Sequence, residues 1–294
     1  MSKIIVRIKG GLGNQLFCYA AARRLAIAND AELVIDDVTG FVRDHKYRRQ
    51  YLLDRFHIPA RKATAAERME PFERYRHGLA KWLARRRPFQ RRRYVEQERI
   101  DFDPRLLDLK VKGTVYLDGY WQSEGYFKDV ERTIRQDLKI EPPKGSFNCR
   151  VADEIRGCNS VAIHCRWFDQ PGKSGVHNAP ADYYHRAIDE IERRIDCPRY
   201  FVFSDDPLAA CFMLGLSAEW VTTVYHNRGD ENAWVDLWLM SQCSHFIIAN
   251  NTFSWWGAWL GQEDTTVVVA PGFKVWGITS WGFDGLLQAR WIQM

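Results

Sequence analysis

Apolar and polar positions follow two regimes along this chain. From residue 146 onward, short runs rich in β-branched and aromatic residues recur with helix-length stretches between them. Strands are expected at 160–166, 199–204, 221–225, 245–249 and 266–270, with helices at 181–195, 207–216, 232–242 and 252–261. Regular strand–helix alternation predicts a parallel, doubly wound sheet. The N-terminal part opens the same way. A strand at 4–8, a glycine turn, a helix at 16–28 and a strand at 32–35 make a βαβ unit. A strand at 114–120 and a helix at 123–138, with Ser123 as its N-cap, complete it. Between about 40 and 100 the periodicity is weak and charge heavy, and a basic helical insertion is expected over roughly 60–100. The Pro/Gly-rich stretch 141–146 is the best linker, which divides the chain into domains 1–145 and 146–294.

The stretch 245–261 concentrates the pattern. Phe246 to Ala249 is apolar, as in a strand buried on both faces. Asn250, Asn251, Thr252 and Ser254 interrupt it, with Phe253 among them, and a tryptophan-rich segment follows. The expected product is a strand, a polar turn and a capped helix start. Such a start has unpaired N–H groups and partial positive charge, which suit a phosphate. The turn would lie outside the carboxyl end of its strand, where open parallel sheets bind ligands.

Other strand ends turn polar at the same edge. In Val161 to Arg166, side-chain alternation puts His164 and Arg166 on one face and Cys165 on the other. Arginine matches phosphate geometry and keeps its charge. It would oppose the charge gathering on a leaving diphosphate, or else pair structurally with Asp169. Phe203-Ser204-Asp205-Asp206 ends in carboxylates that either accept from a nucleoside or cap the helix starting at Pro207. Gly11 and Gly13 resemble half a dinucleotide fingerprint with Leu16 at the third glycine position, while Asn14 and Gln15 add polar groups at the helix start and Asp36-Asp37 sit where a ribose carboxylate would. Asp101-Phe102-Asp103 has the form of a metal-holding triplet, but Pro104 follows and no strand precedes it, so a turn is expected.

Composition refines this picture. A hydrophobic content of 46% and a charged content of 27% fit a globular protein, and 12 Trp with 12 Tyr supply stacking surfaces or core. The seven cysteines show no CxxC spacing and sit mostly in apolar segments, as reduced thiols in a cytosolic protein would. The N-terminus has no signal-peptide core, and no apolar run reaches membrane-span length. The arginines at 85–87 and 91–93, with Leu79, Trp82 and Leu83, fit either a solvated basic face or peripheral contact with an anionic membrane. No nucleic-acid-binding module accompanies them.

Taken together, Gly10 to Phe17, His164-x-Arg166, Phe203 to Asp206 and Ile248 to Trp256 resemble the bacterial alpha-1,2-fucosyltransferases. Gly119 to Phe127 and Asp236 to Ser241 look like that family too. The resemblance implies an α/β fold of the GT-B type, with two Rossmann-like domains facing a cleft. It implies an inverting transfer of L-fucose from GDP-fucose to O2 of a terminal galactose in an oligosaccharide or lipid-linked glycan, without metal or other cofactor. By the same resemblance Arg166 contacts the pyrophosphate, Thr252, Phe253 and Ser254 line the nucleotide pocket with Asn251, and His164 with Asp205 or Asp206 seats GDP. Gly11, Gly13, Asn14 and Gln15 hold the acceptor from the first domain. The family pattern His-x-Arg-Arg-Gly-Asp is broken here by Trp167 and Phe168, ahead of Asp169.

An inverting transfer through an oxocarbenium-like transition state needs stabilisation of the departing GDP and, conventionally, a base on the acceptor hydroxyl. Asp169 and Asp37 are the candidate bases. Two other readings stand beside this one. The glycine turn and Asp36 suit an NAD-dependent oxidoreductase, and Trp167 suits a non-catalytic protein that binds a GDP-sugar or glycan.

Overall fold

The computed structural model describes residues 2–168, 177–277 and 280–294. The chain forms two compact units, Met1–Ile140 with Asp284–Leu286, and Glu141–Phe283 with Leu287–Met294. Each has its own parallel sheet and its own core.

The first unit contains β1 (Lys3–Arg7), α1 (Leu12–Ala28), β2 (Glu32–Asp36), β3 (Arg61–Lys62), α2 (Glu73–Arg85), β4 (Tyr94–Glu96), β5 (Thr114–Asp118) and α3 (Glu131–Asp137). The strand order is β3-β2-β1-β5-β4, parallel throughout. α1 is buried nearly all round, and its small residues Ala20, Ala21 and Ala22 let it lie close to the sheet. The expected helical insertion at 60–100 is instead two edge strands with one helix between them. β3 and β4 hold only two and three residues, too few to display a period of two. The basic run is not one helix either. α2 stops at Arg85, and a separate 3₁₀ turn at Phe89–Arg91 anchors through buried Phe89.

The stretch 123–138 also departs from expectation. Ser123 does cap, accepting from the Gly125 N–H at 3.1 Å, but it opens a 3₁₀ turn and α3 begins only at Glu131. Asp101-Phe102-Asp103 is a turn, as expected. Asp103 accepts from the Arg105 N–H and pairs with its guanidinium, while Asp101 accepts from the Asp284 N–H at 3.1 Å.

The second unit contains α4 (Ser146–Arg156), β6 (Ser160–Cys165), α5 (Ala181–Arg194), β7 (Arg199–Ser204), α6 (Pro207–Leu214), β8 (Val221–Val224), α7 (Ala233–Met240), β9 (His245–Ile247), α8 (Thr252–Gly261), β10 (Val268–Ala270) and β11 (Ile292–Gln293). The order β11-β10-β9-β6-β7-β8 is again parallel. The chain winds from β6 to β8 in one direction, then returns to the other side of β6 for β9. The reversal lies between β6 and β9, which is where a doubly wound sheet leaves a crevice at its carboxyl edge. In the first unit it lies between β1 and β5. The tryptophans of α8 go to core. Trp255, Trp256 and Trp259 are fully buried, and Trp291 packs on Trp255 with ring centroids 5.5 Å apart.

Candidate active site

The β9–α8 turn stands at the reversal point of the second sheet. Asn251 does two things there. Its Oδ1 accepts from the Ser254 N–H at 3.0 Å, capping α8, and its Nδ2 lies 3.1 Å from His164 Nδ1 on the neighbouring strand. An amide N–H donates, so Nδ1 accepts and the ring proton sits on Nε2. Burial, with Arg166 nearby, drives the imidazole down to about 3. His164 is therefore neutral at ordinary pH, a hydrogen-bond donor through Nε2 rather than a titrating base. The Phe253 ring lies 5.4 Å from it, and Thr252 begins the helix beside them. Ser254 is fully buried, with its hydroxyl 3.3 Å from the Ala249 carbonyl, so it shapes the turn from inside.

Arg166 follows directly after β6. Its Nη1 meets Asp205 Oδ2 at 2.9 Å, just beyond the end of β7, and the two side chains are 30% and 34% exposed. A pair so open to water is worth little to stability, but it fixes where the guanidinium stands. Asp205 also accepts from the Trp167 N–H at 3.2 Å. Burial pushes its carboxyl up, against the pull of Arg166. Asp206 has turned away to cap α6, accepting from the Ala209 N–H at 3.1 Å ahead of Pro207. Asp169 lies outside the described residues. The Phe168 N–H donates to Asn178 Oδ1 at 2.7 Å, and Asn250 donates to the His177 carbonyl at 2.8 Å.

A third polar group belongs to a side-chain network of the second unit. Asp236 lies in the first turn of α7, beyond β8. Burial raises its carboxyl to about 7, although Asn227 donates to it at 2.8 Å. Asn227 in turn exchanges hydrogen bonds with Asn148, which also meets His226.

In the first unit the glycine turn is built around Gln15. Its Nε2 donates to the carbonyls of Gly10 and Gln50, both at 2.9 Å, and its Oε1 accepts from the Leu52 N–H at 2.9 Å. Fully occupied and fully buried, it ties the 50–52 segment to the turn. Gly10 has φ +78°, a conformation that other residues rarely adopt, and Gly11 is the N-cap of α1. A Cβ on Gly11 would lie 3.6 Å from the Arg49 guanidinium, while Gly13 is buried in the helix. Asn14 Oδ1 accepts from Gln122 at 2.7 Å. Asp36 is consumed by the Val38 and Thr39 N–H groups and by the Thr39 and Tyr116 hydroxyls. It has no capacity left for a ribose, which removes the main support for an NAD reading. Asp37 differs, because its Oδ1 is buried without a hydrogen-bond partner and Oδ2 is 3.5 Å from Lys62 Nζ. Among the described residues, no three His, Cys, Asp or Glu side chains cluster as metal ligands would.

Residues 3–275 match one family over nearly the whole chain. The chain belongs to glycosyl transferase family 11. It is 28% identical over 291 residues to an Escherichia coli alpha-1,2-colitosyltransferase, covering 92% of each chain. It is also 28% identical over 284 residues to the E. coli O-antigen biosynthesis glycosyltransferase WbnK, covering 90% of this chain and 92% of that one. Among solved structures, the fucosyltransferase NodZ from Bradyrhizobium superposes with a TM-score of 0.51 at 16% identity, over 87% of this chain and 92% of its own. A mutant Arabidopsis thaliana FUT1 in complex with GDP superposes with a TM-score of 0.55 at 14% identity, over 95% and 72%. These structural likenesses identify the fold, an α/β chain with two parallel sheets of the GT-B class.

In this family 11 chain, the described structure gathers His164, Arg166, Asp205, Asn251, Thr252 and Phe253 at one sheet edge. Ser254 and Asp206 shape the neighbouring turns of that edge with groups already engaged, and Gln15 does the same for the glycine turn of the first unit. Asp236 was missed as an individual residue. The signal was there, since Asp236 is the only charged residue in Ala233 to Met240, a helix otherwise wholly apolar.

Proposed function

We propose that this family 11 glycosyltransferase is an inverting fucosyltransferase, moving L-fucose from GDP-fucose to O2 of a terminal galactose in a glycan acceptor. The observation that carries the reading is Arg166. A guanidinium fork stands at the carboxyl end of β6, held by Asp205, and His164 on the same strand meets Asn251, the cap of α8. The bond from fucose C1 to the β-phosphate oxygen breaks with its electron pair on GDP, and that charge meets the guanidinium and the helix end. The acceptor oxygen attacks C1 from the opposite face and gives up its proton. That proton passes to solvent or to a carboxylate base. On the guanine side, Asp236 offers a carboxylate to a base edge carrying adjacent N–H donors.

A second donor is favoured by one finding, the relative named for colitosyl transfer. GDP-colitose therefore belongs in the same assay. Purified protein is given each donor with galactose-ended acceptors, and GDP release is followed with mass analysis of the product. Arg166→Ala should lower turnover about 10²–10³-fold, the cost typical of removing a donor to developing oxyanion charge, with the circular dichroism spectrum unchanged. A full rate in Arg166→Ala would refute the assignment, and GDP binding without turnover on any acceptor would leave a binding protein.

A further inference from the structure

The first unit carries a surface for which sugar transfer has no use. α2 packs inward through His77 and Ala84, both buried. At 100° per residue, the opposite side presents Tyr75, Leu79, Trp82 and Leu83 as one stripe about 100° wide, with Phe72 at its head. All five are exposed, from 48% for Leu83 to 72% for Tyr75. A stripe of this kind ordinarily faces a core. Here it faces outward.

Charge surrounds it. Residues 72–93 hold nine lysines and arginines and one acid, Glu73, a net +8 in a chain whose total is +5. Lys81, Arg85 and Arg92 are paired with Glu96, Asp118 or Glu98. Arg74, Arg76, Arg86, Arg87, Arg91 and Arg93 are exposed and meet no carboxylate among the described residues. The Arg86 guanidinium lies 3.4 Å over the centroid of the Trp82 ring, so cation and aromatic share one surface.

We propose that the outer face of α2, with the arginines that follow it, docks the protein on an anionic lipid bilayer. Aromatic rings with leucines between them suit the headgroup–acyl boundary, and arginines beside them suit anionic headgroups. Nucleic acid would satisfy the arginines but not the leucine stripe. An acidic protein partner would meet the arginines but leave the aromatic and leucine stripe without an acyl boundary to enter. Among the described residues no helix is long and apolar enough to cross a membrane, so the attachment lies in the interface.

The test is flotation of the full chain with vesicles of phosphatidylcholine alone, and with vesicles in which about a third of the lipid is phosphatidylglycerol. Binding is expected only to the second kind and should fall in high salt. Leu79→Ala with Trp82→Ala should lower the partition coefficient at least about tenfold with every charge retained. Arg86→Gln with Arg87→Gln should lower it about fivefold per arginine. No flotation with anionic vesicles, equal flotation with neutral ones, or an undiminished Leu79/Trp82 variant would each overturn the proposal. So would RNA binding in a gel shift at physiological salt with no vesicle binding. GDP release with a soluble acceptor should be unchanged in both variants, so failure of the docking face and failure of the transferase reading are separable.

Discussion

At the scale of single residues, burial sets the ionisation of two groups, His164 and Asp236. His164 is held neutral by burial and by its place beside Arg166, and its tautomer is set by Asn251. Asp236 is the opposite case, an acid held near neutrality at about 7. Its ordinary value when unfolded lies far lower. The folded value is raised, so the contribution to stability is complete below the unfolded pKa and is lost as pH rises through about 7. Asp236→Asn should therefore keep more of its melting temperature than the parent between pH 6 and 8. Ligand binding runs the other way. A guanine edge with two N–H donors needs the carboxylate, so the bound pKa falls and GDP binding strengthens as pH rises toward about 7, by up to about tenfold per unit. Calorimetry in two buffers of different ionisation enthalpy should record proton release at pH 6. A flat profile in the parent protein would remove Asp236 from the nucleotide site.

At the scale of elements, α8 is placed by what packs behind it. Gly261 lies so close to its neighbours that a Cβ there would stand 2.6 Å from the Phe246 ring and 2.8 Å from the Ser241 carbonyl. The carbonyl belongs to the backbone and cannot swing away. Gly261→Ala is expected to cost about 1–3 kcal/mol as overpacking. Gly78→Ala on α2, where nothing lies within 4 Å, should instead stabilise by about 0.5–1 kcal/mol. Melting curves of the two variants should move in opposite directions, and matching shifts would show that close packing is not what fixes α8. Such contacts also explain what the sequence made legible. The central strands and α5 to α8 were readable because buried parallel strands are apolar throughout, α5 is long enough to show a period, and α6 and α8 open on a capping Asp206-Pro207 and Asn251. β3, β4 and β11 escaped because two or three residues on a sheet edge carry no period. The 123–138 stretch read as one helix although Gly125 packs against the Phe102 ring, 2.7 Å from where a Cβ would stand, a tertiary contact invisible locally. Arg166 and Asn251 were legible as polar breaks after apolar runs. The partnership of Arg166 with Asp205 was not, because it joins the ends of different strands.

At the scale of the molecule, the two units have separate sheets and separate cores, and the proposed nucleotide contacts all belong to the second. Arg166 and Asp205 follow β6 and β7, Asn251 precedes α8, and Asp236 heads α7. GDP should therefore act first on the unit that holds Glu141–Phe283. A ligand that binds only the folded state at a hundred times its Kd stabilises that state by about 2.7 kcal/mol. Amide exchange that requires opening of this unit should slow by about a hundredfold, by the same relation. The protected peptides should cover the β6 end, the β9–α8 turn and the first turn of α7. Peptides spanning Gly10 to Gln15, assigned to the acceptor, should exchange at their ligand-free rate until an acceptor is added. Equal protection of that glycine turn by GDP alone would move the donor away from Arg166, and the chemistry assigned to the second sheet's reversal point would go with it.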